Sequence, residues 1–269
     1  MACGCGRSED GCRGWHALTE EEYQLELEAY KQAKDGNYRV TEVEHYTDSL
    51  FKFKLNKPVD FVFKAGQFTM ISVEDAPKRA YSMTSGPEDD FLEFFSIKVP
   101  NGPLTSKLQK IQPGDYVSVS NKSTGTLVID NLTEGRDLWL LATGTGIAPF
   151  ISMLCDDRTY DRFRNIHVVW SVREQEELDA FHDWLSAINI DYIPIVTRDE
   201  RWEGIDVRMT SLIKKGIIMG DAIPVNDKVA CCGNMEFNKE IKAILEERGW
   251  KEGSNREKGS FVLEKAFVG

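Results

Sequence analysis

The chain has 269 residues, 41% hydrophobic and 29% charged. That is enough for about two domains at the usual size of roughly 150 residues each, and it argues against global disorder. With 33 Lys and Arg against 44 Asp and Glu the net charge is −11, so no duplex nucleic-acid partner is expected, because such a partner needs a basic surface that displaces counterions. No apolar run approaches the roughly 20 residues of a membrane span. The most apolar stretch, WLLATGTGIAPFISML, is broken by two Gly and a Pro.

Residues 1–18 show neither helix nor strand period and read as a tail without a signal-peptide pattern. Cys3, Cys5 and Cys12 lie in it, and with His16 they match no standard zinc spacing. The other cysteines are Cys155, Cys231 and Cys232. A disulfide framework is therefore not expected, and a cytoplasmic setting is. Residues 19–34 read as a helix, with Thr19 and Glu22 forming a capping box and Gly36 as the stop signal.

From Tyr38 the signal becomes short strands. In SLFKFKL, Phe51, Phe53 and Leu55 alternate with Lys52 and Lys54, the mark of a strand with one wet face. QFTMISV, RAYSMTS, FLEFFSIKV and DYVSVSN follow between Gly, Pro and Asp turns, with one short helix predicted over 104–110. This spacing suggests an antiparallel barrel or sandwich. After Asp130–Asp137 the strands LWLLAT, IHVVWSV, YIPIVTR and VACCG alternate with predicted helices over 147–155, 174–187 and 235–248, the pattern of a doubly wound parallel sheet. The expected division is residues 1–37 as tail and helix, 38–132 as the antiparallel domain and 133–269 as an α/β domain.

Two segments carry chemistry. Gly144-Thr145-Gly146-Ile147-Ala148-Pro149 follows a strand and opens a helix. Glycines there let backbone approach a phosphate, the helix start offers free amides, and Pro149 suits the first turn; a purely structural tight turn would look the same. Arg173 and Arg198 follow the next two strands, with Arg208 ten residues later, and forked guanidinium donors suit the 2′-phosphate of NADP. In the barrel, Arg79-Ala80-Tyr81-Ser82 lies on a strand, where an arginine can pair with a pyrophosphate while a ring stacks on a flat cofactor. Gly102-Pro103-Leu104-Thr105 opens the short helix as a second anion nest.

RAYS, SIKVPNGPLTSKL, ATGTGIAPF, CCGN and EKAFVG, in this order, resemble bacterial ferredoxin/flavodoxin–NADP(+) reductases from about Tyr38 to Gly269. The resemblance implies an α+β two-domain protein: a six-stranded antiparallel FAD-binding β-barrel, then a doubly wound parallel α/β domain for NADP(H). It implies that Arg79, Ala80, Tyr81, Ser82, Ile97, Lys98, Val99, Gly102, Leu104 and Thr105 hold FAD. Arg79 would meet the pyrophosphate, Tyr81 the isoalloxazine and Ser82 the N5 edge. Gly144, Thr145, Gly146, Arg173, Arg198, Arg208, Cys232, Gly233 and Asn234 would face NADP(H). The C-terminus resembles the bacterial subclass, with Ala266 at the flavin face and Phe267 covering FAD. Ser82, Cys232 and Glu264 would form the shell around the reacting atoms, with a reactive Cys232 thiol as the rival reading. Trp202 would stack on the adenine or simply pack.

The resemblance also implies ferredoxin or flavodoxin as partner, no metal, and a monomer. Those carriers are acidic, so a basic patch on the barrel, the least acidic part of the chain, is expected to steer them: Lys52, Lys54, Lys57, Lys64, Lys78, Lys107 and Lys110. The alternatives are an electron-transfer subunit of a larger dehydrogenase complex and a non-catalytic flavin-based redox sensor. Against the first, the last Cys is Cys232, so no C-terminal cluster could hold an iron–sulfur centre. Against the second, a sensor needs no arginines for a 2′-phosphate.

Overall fold

The computed structural model describes Arg7, residues 13–58 and residues 60–265. The tail cysteines Cys3, Cys5 and Cys12, and the proposed cover of Ala266 and Phe267, lie outside the described residues. Helix α1 (Glu20–Lys34) starts at the predicted box: the Thr19 hydroxyl accepts from the Glu22 amide while the Glu22 carboxylate accepts from the Thr19 amide. Ala29 and Ala33 bury its inner face, and α1 packs on the first strand of the sheet that follows.

That sheet has six antiparallel strands: β1 (Asn37–His45), β2 (Leu50–Asn56), β3 (Phe68–Ser72), β4 (Arg79–Ser82), β5 (Phe91–Ile97) and β6 (Tyr116–Val119). Their order is β4-β3-β6-β1-β2-β5. Just past β4, Met83 bridges to Phe94 and the Thr84 amide donates to the Glu93 carbonyl, so the two outer strands meet and the sheet closes into a barrel. The alternation read in β2 holds. Phe51, Phe53 and Leu55 are buried in a core with Tyr38, Met83, Leu92 and Phe94, and Lys52 and Lys54 face outward between Glu42, Glu44 and Glu93. Arg79, Ala80, Tyr81 and Ser82 are all only half-buried, a strand left partly uncovered beside a packed core.

The second sheet is parallel: β7 (Asp137–Thr143), β8 (Asn165–Val172), β9 (Asp191–Val196), β10 (Asp227–Gly233) and β11 (Phe261–Lys265), in the order β11-β10-β7-β8-β9. Every residue of β10 is buried, as expected of a strand covered on both faces. One face carries Leu140, Ala142, Val168, Trp170 and Cys232 and packs with the barrel's Leu50, Phe95 and Leu127. The other, with Leu141, Val169 and Cys231, packs under the helices that precede and follow β10.

The helices depart from the sequence reading in detail. The predicted 104–110 helix is the single turn α2 (Thr105–Leu108), and α3 (Ala148–Leu154) sits as read, with Pro149 in its first turn. The predicted 174–187 helix splits into a 3-10 turn, Gln175–Leu178, and α5 (His182–Ala187), because Ala180 and Phe181 drop into the core between them. Two short helices, α4 (Asp157–Arg162) and α6 (Met209–Lys214), and strand β11 stand where no element was predicted. Helix α7 (Met235–Glu247) fits the sequence reading.

Candidate active site at the junction of the two sheets

On the barrel side, Tyr81 lies edge-on to Phe94 at 6.4 Å and its phenol is within 3.1 Å of the Ser96 hydroxyl, while burial pushes the phenol's pKa up. Arg79 makes no ion pair with any described residue; its one side-chain bond, 3.2 Å, goes to the neighbouring Lys78 carbonyl. Past β5, the Lys98 amide donates to Ser49 and its ammonium to Thr47, so Lys98 is already committed within the barrel. The Val99 carbonyl accepts from the Gly102 amide and the Thr105 hydroxyl. This closes a turn so tight that a Cβ on Gly102 would lie 2.2 Å from that hydroxyl. Between Arg79 and this turn the barrel offers a half-buried aromatic shelf, an uncommitted guanidinium and the first amides of α2, a donor set that fits a flavin with its diphosphate.

On the other side, β7 runs into a 3-10 turn, Gly144–Ile147, and then α3. Gly144 has φ +52°, and a Cβ on it would meet nothing within 4 Å, so its outer side is open. A Cβ on Gly146 would lie 2.3 Å from the Cys232 carbonyl, so the turn rests directly on the end of β10. The Arg198 amide donates to the Arg173 carbonyl at 2.9 Å, which sets these two arginines side by side at the ends of β8 and β9. Arg208 caps α6. None of the three forms an ion pair with a described residue, whereas Arg201 is tied to Asp199 and Glu176. An open glycine turn flanked by uncommitted guanidinium groups fits a nucleotide carrying a second phosphate. Trp202 packs: its indole N–H donates to the Ile205 carbonyl and its ring lies against the core.

Between the two halves, Cys232 and Glu264 face each other in register across β10 and β11. The Glu264 carboxylate accepts from the Thr126 amide and lies against Gly125, in the segment leaving the barrel. Gly125 in turn borders the Phe68 ring, and Phe68 pairs with Ser82. Cys232 and Glu264 are thus direct neighbours, and the barrel reaches Glu264 through Gly125 and Phe68, the strand partner of Ser82. Burial pushes the Glu264 carboxyl up to about 8, so it carries a proton near neutrality. Burial, and then the neighbouring Glu264 charge, hold the Cys232 thiol well above its ordinary value, which disfavours the thiolate a nucleophile would need. Asn234 caps α7 by accepting from the Phe237 amide. Asn238 donates to both the Gly233 and Glu264 carbonyls, joining the ends of β10 and β11. The sequence reading missed Asn238 and Thr126, because nothing local marks a side chain that bridges two strands.

The expected basic patch is largely neutralised. Lys54 pairs with Glu42, Lys52 with Glu44 and Glu93, Lys64 with Asp130, and Lys107 with Glu74 and Asp75. Lys57 donates to the Pro87 and Asp89 carbonyls. Of the seven lysines, Lys78 and Lys110 have neither an ion pair nor a side-chain hydrogen bond among the described residues.

Fold and junction together define a two-domain reductase that works with a flavin and a pyridine nucleotide. Residues 39–127 match the oxidoreductase FAD-binding domain family, and residues 135–193 match the ferric reductase NAD binding domain family. A ferredoxin–NADP reductase A of Sorangium cellulosum is 42% identical over 86% of this chain and 89% of its own. A flavodoxin/ferredoxin–NADP reductase of Rhodobacter capsulatus is 40% identical over 86% of this chain and 92% of its own. A solved ferredoxin NADP+ reductase from Neisseria gonorrhoeae, with bound FAD and NADP, superposes with a TM-score of 0.81 at 31% identity, covering 86% of this chain and 98% of that one. The chain belongs to the ferredoxin/flavodoxin–NADP reductase family.

Proposed function

We propose that this protein exchanges electrons between NADP(H) and a ferredoxin or flavodoxin through FAD, and that it works as a cytoplasmic monomer. The observation that supports the reading is the junction, where Cys232 and Glu264 of the parallel sheet pair in register and Glu264 lies against Gly125 of the segment leaving the barrel. We assign residues 38–132 to the flavin and 133–269 to the nucleotide. Arg79, Tyr81, Ser82, Val99, Gly102, Leu104 and Thr105 would hold FAD. Gly144–Gly146 would take the nucleotide's diphosphate, Arg173, Arg198 and Arg208 its 2′-phosphate, and Cys232–Asn234 would border its nicotinamide. When bound, FAD supplies chemistry that takes two electrons as hydride and releases them singly.

The protein's own work is positioning and shielding. Tyr81 sets one wall of the flavin site. Cys232, neutral and buried, shapes the opposite wall without reacting. Glu264 holds a proton at its carboxyl near neutrality, with the Thr126 amide and Gly125 against it. Cys231, Cys232 and Cys155 are free thiols, which supports a reducing compartment, and no helix among the described residues is long and apolar enough to cross a membrane.

The test is the absorption spectrum of the purified protein under anaerobic NADPH, followed by NADPH-dependent cytochrome c reduction with and without ferredoxin or flavodoxin. A yellow protein bleached by NADPH, whose cytochrome c reduction rises on adding either carrier, is expected. A colourless preparation that refuses added FAD, or a wide preference for NADH, would overturn the reading.

A further inference from the structure

The indole of Trp170 is fully buried, yet it makes one polar contact that the family motifs do not account for. Its Nε1–H donates to the Gly144 carbonyl at 2.9 Å. Gly144 is the residue whose backbone sits at φ +52° with open space on its outer side. No peptide bond among the described residues is cis, and in a trans peptide the C=O and N–H point in opposite directions. Drawing the Gly144 carbonyl inward to Trp170 therefore turns the N–H of the same peptide, that of Thr145, to the opposite side. Helix starts leave such amides without partners inside the helix, and these are the donors an anion takes.

The indole is itself braced from the barrel. Trp170 packs against Phe181 at 6.1 Å, Phe181 stands edge-on to Phe95 of β5 at 5.2 Å, and the Lys52 ammonium lies 5.0 Å from the centre of the Phe181 ring. An aromatic column thus runs from the barrel wall to the carbonyl that sets the turn.

We propose that Trp170 is a positioning residue for the nucleotide's diphosphate: its N–H fixes the Gly144–Thr145 peptide so that the Thr145 amide faces the phosphates, and Phe181 and Phe95 hold the indole in place from the flavin side. The proposal rests on reading Gly144–Gly146 as the diphosphate turn.

The test separates the hydrogen bond from packing. W170F keeps a large ring and loses the donor. W170H keeps a donor at the same ring position, since histidine Nε2 sits where indole Nε1 does, but loses the benzene half of the ring. Calorimetric titration of the FAD-loaded wild type and both variants would use NADP+ and, separately, adenosine 2′-phosphate, which reaches the arginines but carries no diphosphate. W170F is expected to weaken NADP+ binding roughly three- to tenfold, the value of one such hydrogen bond, and to leave adenosine 2′-phosphate within about twofold. W170H is expected to bind NADP+ more tightly than W170F although its larger void makes it the less heat-stable of the two. If W170F binds NADP+ as the wild type does, if both ligands weaken together, or if NADP+ affinity follows melting temperature across the variants, the proposal fails. A wild type that binds adenosine 2′-phosphate and NADP+ equally tightly, so that the diphosphate adds nothing, overturns the reading of the turn itself.

Discussion

Most lysines of the barrel and the arginines at the ends of β8 and β9 are treated in opposite ways. On the barrel, Lys52, Lys54, Lys64 and Lys107 are each matched to carboxylates, and Lys57 is spent on backbone carbonyls. At the ends of β8 and β9, Arg173 and Arg198 sit side by side, and neither they nor Arg208 form an ion pair with a described residue, while Arg201, a few residues away, is locked to Asp199. On the proposed function, the guanidinium groups left unmatched beside the open turn are the ones that meet the nucleotide, and the paired ones serve the fold. That contrast is what the following variants put to the test.

The sharpest way to break that contrast is to delete one arginine of each kind. R173A is expected to lower kcat/KM for NADPH by roughly ten- to a hundredfold, the range for a lost charge-assisted hydrogen bond to phosphate, and to leave kcat/KM for NADH nearly unchanged. R201A removes a cation already neutralised and is expected to move both by less than about twofold. Steady-state rates with the two coenzymes decide it. Equal losses in R173A and R201A would erase the distinction.

A second contrast lies between the two carboxylates at the domain boundary. Glu93, in the barrel, is raised by burial but opposed by Lys52 and Lys54. Burial raises Glu264 to about 8 from an ordinary 4.5, opposed only by the Thr126 amide among the described residues. As pH climbs from about 4.5 to about 8, the unfolded chain gives up the Glu264 proton while the folded one keeps it. Stability from this group is therefore full below 4.5 and lost by the time pH passes 8. In E264Q that slope should vanish. The melting temperature of the wild type is expected to fall, relative to E264Q, by on the order of 5 °C between pH 5.5 and 9. Parallel curves would mean that Glu264 stays charged throughout. The same variant should lose any inflection near pH 8 in the rate of flavin reduction by NADPH, measured by stopped flow.

Much of this was legible in the sequence, for reasons that differ by region. The period-two run Phe51-Lys52-Phe53-Lys54-Leu55 and the strand–glycine–helix passage at 138–149 declare themselves within one segment, because one backbone period sets both pattern and structure. The capping box of Thr19 and Glu22 is equally local. What escaped is what two distant segments make together. Trp170 reads as one more apolar residue of a buried strand, and only the fold brings its N–H to Gly144. Lys52 and Lys54 read as a free basic face, and only the register of β1 and β5 sets Glu42, Glu44 and Glu93 opposite them. Helices α4 and α6, six residues each, are too short for a helical period to stand out.

The pairing of those lysines makes the smallest prediction and bears on how an acidic carrier docks. Lys54 lies 2.8 Å from Glu42 on the neighbouring strand, and both are partly exposed, so the pair contributes little energy and little net field. K54E places like charges opposite one another, a cross-strand cost of roughly 0.2–1 kcal/mol, which in a protein of this size lowers the melting temperature by about 1–3 °C. A neutralised ion pair cannot steer a partner over a distance of several Debye lengths, so the low-salt rate of ferredoxin or flavodoxin reduction should change by less than about twofold. Stopped-flow rates at 10 mM and 200 mM salt would show it. If K54E instead removes most of the low-salt rate while its melting temperature stays within those few degrees, the lysine is acting on the partner rather than on Glu42, and the division between structural and binding cations fails on the barrel.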